Sequence, residues 1–455
     1  MILKHKFNGK IFNFVKKEAV QQDSNVFTLI VGKNGTGKSR LLSAIVSEFI
    51  NTSSSTSVLG DENAKPRTKA IAYDNIPEKA ITVSTSPFDK FPIPKRGVKI
   101  TGYSYLGLRD LSSQNLGLAY MSKIVTSLLE TILVNPSQMH DTSNVLNYLG
   151  YEDSVKIRFQ MQSPLYGLVY GNKSRLSKIN ARTILNDNSI ISLSNKRYFI
   201  NEDHTINHER TQVLVNTVNK INPNYFASNF YIELNRNGIV DTTSRTFSIQ
   251  ECLMLFYAGF VKLREVYLER TDSKKAYSIT DASSGEQSVV ISFLGIASQI
   301  ENNTLICIDE PEICLHPEWQ EKYIKLLIDT FSKYKNCHFI IATHSPQIIS
   351  KLDSHNCFVL SMDDRVVKDA KSLINNSIDF QLANVFKSPG FKNEYLSRIA
   401  LNIFSKVSRS KKFDETDLKD YSVLAAQENL LQSNDPVRDL LFAIKEMHKA
   451  YAGNK

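Results

Sequence analysis

The chain has 455 residues, 42% of them apolar and 22% charged, with a net charge of +9. That length suits two or three domains and a large core, and the composition is ordinary for a globular protein. The positive excess is mild, so it permits nucleic-acid contact without arguing for it. No run of about 18 apolar residues is read in the sequence, so no membrane span is expected. The start, MILKHKFNGKIFNF, lacks the apolar h-region of a signal peptide, and a cytoplasmic chain is expected. Five scattered cysteines form no CxxC pair, which argues against a zinc site or a disulfide framework. Cys307 falls in an apolar run and reads as a small core residue.

Taken in chain order, the first strong signal is FTLIVGKNGTGKSRLLSAIV. An apolar strand leads into Gly32, and Gly37-Lys38-Ser39 opens a helix with Leu41, Leu42, Ile45 and Val46 on one side. Glycines at 32, 35 and 37 let backbone N–H groups curl around an anion, and the helix start adds partial positive charge. Gly32, Asn34, Gly35, Thr36, Gly37, Lys38, Ser39 and Arg40 are the candidate phosphate contacts, with the Ser39 hydroxyl a candidate magnesium ligand. The Ser/Thr-rich stretch 51–70 reads as a mobile loop. Further on, LAYMSKIVTSLLETILV reads as a helix, and SVKIRFQMQ, SIISL and KRYFIN as short strands. ECLMLFYAGFVKLREVYLER reads as one long helix.

SSGEQ then opens a helix with Val290, Phe293, Leu294 and Ala297 on its apolar side. Serine hydroxyls, a glycine and free N–H groups at a helix start make Ser283, Ser284, Gly285, Glu286 and Gln287 a second candidate anion site. The apolar run TLICID ends in Asp309, and Glu310 follows. An acid at the tip of a neighbouring strand can hold a metal from the side opposite a phosphate loop. Asp309 is therefore read as a magnesium ligand and Glu310 as the group that activates water. Pro317 suits a first helical turn, with Tyr323, Ile324, Leu327, Ile328 and Phe331 forming one face. The next apolar strand ends at Thr343-His344-Ser345. EYLSRIALNIF, YSVLAAQENLLQ and DPVRDLLFAIKEMHKAY follow as amphipathic helices.

In this order the motifs resemble those of the ATP-binding-cassette (ABC) ATPases, over about residues 1–115 and 275–365. SSGEQ looks like that family's signature loop, and His344 matches its switch histidine. The resemblance implies ATP and Mg2+ as cofactors and Glu310 and His344 as catalytic residues. It also implies a head-to-tail dimer in which SSGEQ of one subunit covers the nucleotide of the other. The fold expected is α/β: an ABC-type P-loop head with a mixed sheet, an inserted α/β lobe at 116–274 and a helical region at 366–455. The family's magnesium-sensing glutamine has no firm match. Ser or Thr stands in its place in ITVSTSPFDKF, and Gln114 is a second candidate.

DEPEICLHPEWQ and ATHSPQII are similar to the soluble RecF/SMC/OLD-like group, many of whose bacterial members look like phage-defence ATPases. No sustained heptads predict a long coiled coil. The tail lacks the Glu-Gly strand and DxD pair of a TOPRIM nuclease, so no intrinsic nuclease is expected. The resemblance then narrows to the Septu and retron ATPases of PtuA type. It implies slow regulatory hydrolysis and a separate effector, either an HNH nuclease of PtuB type or a TOPRIM protein. Self-association is expected, with DNA reached through the complex and no membrane partner. A RecF-like DNA-repair ATPase is the alternative.

Overall fold

A computed structural model describes residues 1–21, 23–55, 71–94, 100–109, 111, 116–162, 185, 191–201, 203–221, 229–241, 248–352, 355–374 and 376–451. At the start, β1 (Ile2–Phe7), β2 (Lys10–Asn13) and β4 (Ile71–Tyr73) form a small antiparallel sheet in the order β2-β1-β4. The main sheet contains β3 (Val26–Val31), β5 (Lys79–Ser84), β6 (Tyr103–Gly107), β12 (Thr304–Asp309), β13 (His338–Ala342), β14 (Cys357–Ser361) and β15 (Val367–Asp369). Its order is β15-β14-β3-β13-β12-β5-β6, parallel throughout except for β15. Every residue of β3, β12, β13 and β14 is buried. That burial is why these strands read as unbroken apolar runs, since both faces of a parallel sheet are covered.

On one face, Leu41, Leu42, Ile45, Val46 and Phe49 of α1 (Lys38–Ser55) pack with Ile30, Cys307, Ile340 and Leu360 of the sheet and Ile2 and Phe12 of the small sheet. Cys307 is a core residue, as expected. The expectation of a mobile loop over 51–70 fails at its start. Residues 51–55 finish α1, and the rest of that stretch lies outside the described residues.

The opposite face carries α2 (Leu116–Val134), α3 (Gln138–Tyr148) and the inserted lobe, all in one continuous core with Leu29, Ile81, Ile306 and Phe339. Gly117–Val134 of α2 is long and apolar enough for a membrane span, with mean hydropathy 1.3, against the expectation that no such run exists. Here it is a core helix, and Met121, Ile124, Leu128 and Ile132 are all buried in that cluster.

The lobe is a five-stranded antiparallel sheet, β11-β10-β7-β8-β9. It is built from β7 (Tyr151–Met161), β8 (Asn229–Asn235), β9 (Gly238–Asp241), β10 (Val261–Arg270) and β11 (Ala276–Ser278). Helices α4 (Leu193–Lys196), α5 (His208–Lys220) and α6 (Ile249–Tyr257) accompany it. Two sequence readings fail here. The single long helix is a helix, α6, followed by a strand, β10. Gly259, at φ +78°, ends the helix. Its N–H donates to Phe256 O, and Phe260 N–H donates back to Leu255 O, both at 2.9 Å. This is the left-handed glycine stop that releases a chain into a new element. Beyond it Val261, Leu263, Val266 and Leu268 are buried at strand spacing. The KRYFIN strand is instead the end of α4, a 3-10 turn at Arg197–Phe199 and an isolated bridge at Ile200. The described part of SIISL is a bend leading into α4, and its residues 189 and 190 lie outside the described set.

After the lobe come α7 (Ser284–Ala297), α8 (Pro317–Thr330) and α9 (Pro346–Ser350). β15 carries the sheet beyond the boundary expected at 365. The tail is then helical: α10 (Ile378–Asn384), α11 (Glu394–Ser410), α12 (Glu415–Gln427) and α13 (Pro436–Tyr451). It closes on a core of its own that includes Leu396, Ile403, Leu424, Val437 and Ile444. Asp435 caps α13 by accepting from Val437 N at 2.9 Å and ties back to Lys392 N at 3.0 Å.

The small sheet is pinned to the main one through a fully buried histidine. Ile2 N–H donates to His338 Nδ1 at 3.1 Å, so the ring proton is on Nε2, which faces Thr28 Oγ1 at 3.0 Å. Thr28 in turn donates to Phe14 O at 2.8 Å. Burial pulls the His338 pKa from 6.5 to about 3. A histidine depressed in this way binds its proton more readily in the unfolded chain. Its contribution to stability is therefore complete above pH 6.5 and is lost as pH falls from there toward 3. Followed by NMR of its ring carbons, His338 should stay neutral from pH 7 to 5, because its folded pKa lies near 3. A ring that titrates in that window would show that His338 is not held neutral.

Candidate functional site

The parallel register sets the site. Asp309 pairs with Ala342 and with Ser84, and Ala342 pairs with Ile30, so β3, β13, β12 and β5 end level. The loop 32–37 leaves β3 at that edge and runs into α1. Gly37 has φ +98°, a conformation that side chains resist. Gly32 has a steric reason as well. A Cβ there would meet Met362 Cβ at 2.9 Å and Thr36 Oγ1 at 3.0 Å. Asn34, Gly35 and Arg40 are exposed, while Thr36 folds its hydroxyl onto Lys33 O at 2.9 Å.

Lys38 is buried, and its ammonium donates to Gly32 O at 2.9 Å and Lys33 O at 3.3 Å. Burial lowers its pKa, and the nearby Glu310, Glu312 and Asp309 oppose that shift. Ser39 donates its hydroxyl to Asp309 Oδ1 at 3.0 Å. Asp309 is 2% exposed, and burial raises its pKa to about 7, with Ser39 acting the other way. A hydroxyl and a buried carboxylate already in contact beneath a loop of N–H groups form an oxygen donor set that fits Mg2+ beside a phosphate.

Glu310 follows with φ +51°, its N–H donating to Ala342 O at 2.9 Å. That backbone turn is left-handed for a non-glycine residue and aims the side chain along the strand ends. His344 lies between the two motifs, with Nδ1 3.3 Å from Lys38 Nζ and Nε2 3.5 Å from Glu310 Oε1. Burial, with Lys38 adding repulsion, lowers the His344 pKa to about 4. The ring is thus neutral near pH 7, accepting from Lys38 and presenting its N–H toward Glu310.

Two residues of this neighbourhood were not legible from the sequence. The Glu312 carboxylate accepts from Thr343 Oγ1 at 2.9 Å and from His344 N–H. Gln320 accepts from Ser345 Oγ at 2.7 Å and donates to Leu315 O at 2.9 Å. Both belong to the DEPExxLHPxxQ pattern, but that pattern does not reveal their contacts with the strand end at 343–345.

The second candidate site stands at the start of α7. Ser283 caps α7, accepting from Glu286 N at 3.3 Å, and Ser284 is exposed. Gly285 is buried, and a Cβ there would sit 3.3 Å from Cys314 O. Glu286 turns toward the lobe, held by Arg270 at 2.6 Å and Tyr151 at 2.5 Å. Gln287 donates to Ala282 O at 2.9 Å. Among the described residues, no hydrogen bond joins 283–287 to 32–40. For the missing glutamine, Ser84 stands beside Asp309 and donates to its carbonyl at 3.4 Å. Gln114 lies outside the described residues.

A phosphate loop, an acid two strands away and one strand between them define a P-loop nucleotide-binding head of the ABC-like kind. The profile of the AAA ATPase domain matches residues 10–349, and the chain belongs to that family. Among curated proteins, the retron Ec83 probable ATPase of Escherichia coli is 28% identical over 167 residues, covering 33% of this chain and 30% of its own length. The retron Vc95 probable ATPase of Vibrio cholerae serotype O1 biovar El Tor is 30% identical over 129 residues, covering 25% and 24%. Protein ea59 of Escherichia phage lambda is 23% identical over 330 residues, covering 71% and 46%. The chain thus spans less than half the length of these relatives. Among solved structures, the SMC head domain from Thermotoga maritima aligns at TM-score 0.18 and 15% identity, over 30% of this chain and 66% of that one. Stu0660 of Streptococcus thermophilus aligns at 0.30 and 10%, over 99% and 94%. Likenesses at those scores carry no weight for function.

Replacing Gly32 with alanine tests the loop's geometry. The added methyl must displace Met362 or Thr36, at an expected cost of about 1–3 kcal/mol. Denaturant unfolding should show that loss together with weakened nucleotide binding, and unchanged stability would mean the loop has room to give.

Proposed function

We propose that this chain binds and slowly hydrolyses ATP as the regulatory ATPase of an antiphage defence system, controlling a separate effector nuclease in the manner of PtuA with PtuB. The observation that carries the ATPase part is the meeting of Lys38, His344 and Glu310 next to the Ser39–Asp309 pair. The defence part is supported by the two retron-named relatives. The helical tail, folded on its own core, would supply the docking surface for that effector.

In this reading the N–H groups of 32–37 and the α1 start bind the phosphates, and Lys38 neutralises the outer ones. Ser39 and Asp309 would hold Mg2+, which when bound supplies charge neutralisation for the phosphates. Glu310 orients and deprotonates the attacking water. His344, neutral near pH 7, donates a hydrogen bond from its ring N–H to the outermost phosphate. Ser283, Ser284 and Gly285 act on the nucleotide of a second, head-to-tail subunit, with Glu286 and Gln287 shaping their loop.

Lys38→Ala should abolish ATP binding measured by calorimetry. Glu310→Gln should bind ATP yet turn it over at least a hundredfold more slowly, on the scale of a lost general base. Wild-type turnover by Glu310→Gln would remove Glu310 from the chemistry. Mixing Lys38→Ala with Gly285→Asp subunits should restore part of the activity, and no restoration would argue against shared sites. Native mass spectrometry of the chain expressed with its neighbouring genes, with ATP–Mg2+ and then ADP, tests the partner. A bound nuclease is the expected result. A lone dimer that binds duplex DNA would favour the RecF-like reading instead.

A further inference from the structure

We propose that Glu312 is a positioning residue for His344. It grips the end of β13 so that the imidazole stays between Lys38 and Glu310. This rests on the ATPase reading above.

Three observations lead there. First, besides its own N–H, the donors that Glu312 accepts from belong to the histidine's strand end: the Thr343 hydroxyl at 2.9 Å and the His344 N–H itself. Fixing that N–H and the preceding hydroxyl fixes the direction in which the His344 side chain leaves the backbone. Second, Glu312 sits where a carboxylate is disfavoured. Burial raises its pKa, and the Glu310 charge adds to that, while its donors oppose the shift. A neutral acceptor would satisfy the same donors more cheaply if packing were all that was needed. Third, the stretch that carries Glu312 is itself tightly fixed. Ile313 N bonds Glu310 O at 3.2 Å, Leu315 N bonds Glu312 O at 3.0 Å, and Gln320 ties Leu315 O to Ser345. The grip therefore works from a rigid support onto the segment that carries the ring.

The same stretch meets the second candidate site. Gly285 packs against Cys314 O and His316 N, where a Cβ would come within 3.3 and 3.6 Å. Glu312 thus stands between the loop touched by Gly285 and the ring touched by Lys38.

The test uses the full chain and three measurements: ATP affinity by calorimetry, steady-state kcat and KM, and the melting temperature. Glu312→Gln keeps the shape but turns an amide N–H2 toward one of its donors. We expect unchanged ATP affinity and a kcat lowered on the order of ten- to a hundredfold, the scale seen when a group that orients a working side chain is removed. The decisive variant is the double substitution Glu312→Gln with His344→Ala. If Glu312 acts through His344, the double variant is no slower than His344→Ala alone. Losses that multiply would overturn the proposal, as would an unchanged kcat in Glu312→Gln. Should Glu312→Gln melt far below wild type, Thr343→Val removes one of those donors at equal volume. It is then expected to lower kcat several-fold at constant ATP affinity, and wild-type kcat in that variant would equally overturn the proposal. Absence of ATP turnover in the wild type marks failure of the ATPase reading. Wild-type turnover with an unaffected Glu312 variant marks failure of this inference alone.

Discussion

The level ending of four parallel strands is the constraint on which the site depends. Ile30, Ala342, Asp309 and Ser84 stand in one row across the sheet. The site gathers at and beyond that row: Asp309 stands in it, Glu310 and His344 follow one and two residues on, and Gly32 after β3 opens the loop to Lys38 and Ser39. A slip of one residue in any strand would invert its faces and draw the reactive group back into the core or out of reach. The apolar runs of these strands are therefore more than filler. Their two-sided burial holds the register, and the register places the ammonium, the imidazole and the carboxylates within a few ångströms of one another.

Around that row the polar groups satisfy one another. Lys38 is held by the carbonyls of its own loop, Ser39 by Asp309, and the strand end of His344 by Glu312. Each pairing keeps a costly buried group in place before any ligand arrives. The site is preorganised, and Lys38 stands in the fields of four carboxyl groups, Glu310, Glu312, Asp309 and Asp363, each of which opposes its deprotonation.

Much of this could be read in advance from local signals. The phosphate loop is contiguous in sequence, and TLICID and FIIA announce doubly buried strands, so fold class and the main elements are legible. The stretch 251–270 was not. Its apolar residues suit either period, and what decides is Gly259, whose left-handed backbone ends α6 and lets β10 begin. KRYFIN fails similarly, because aromatic and β-branched residues there pack from a turn instead of a strand. Glu312 and Gln320 were illegible for another reason. Their partners lie on a strand end that only the parallel sheet brings near, and no spacing rule along the chain encodes that contact.

Head and lobe share one core, whereas the tail helices close on a separate one. That division decides where a substitution is felt. A change in a lobe residue such as Phe159 or Leu263 is felt by the same packing that supports β12 and β13. A change in Ile403 or Leu441 is absorbed among the tail helices. Val385 and Phe386 still belong to the shared core, so it is from α11 onward that the tail packs apart, in helices whose changes the head need not feel.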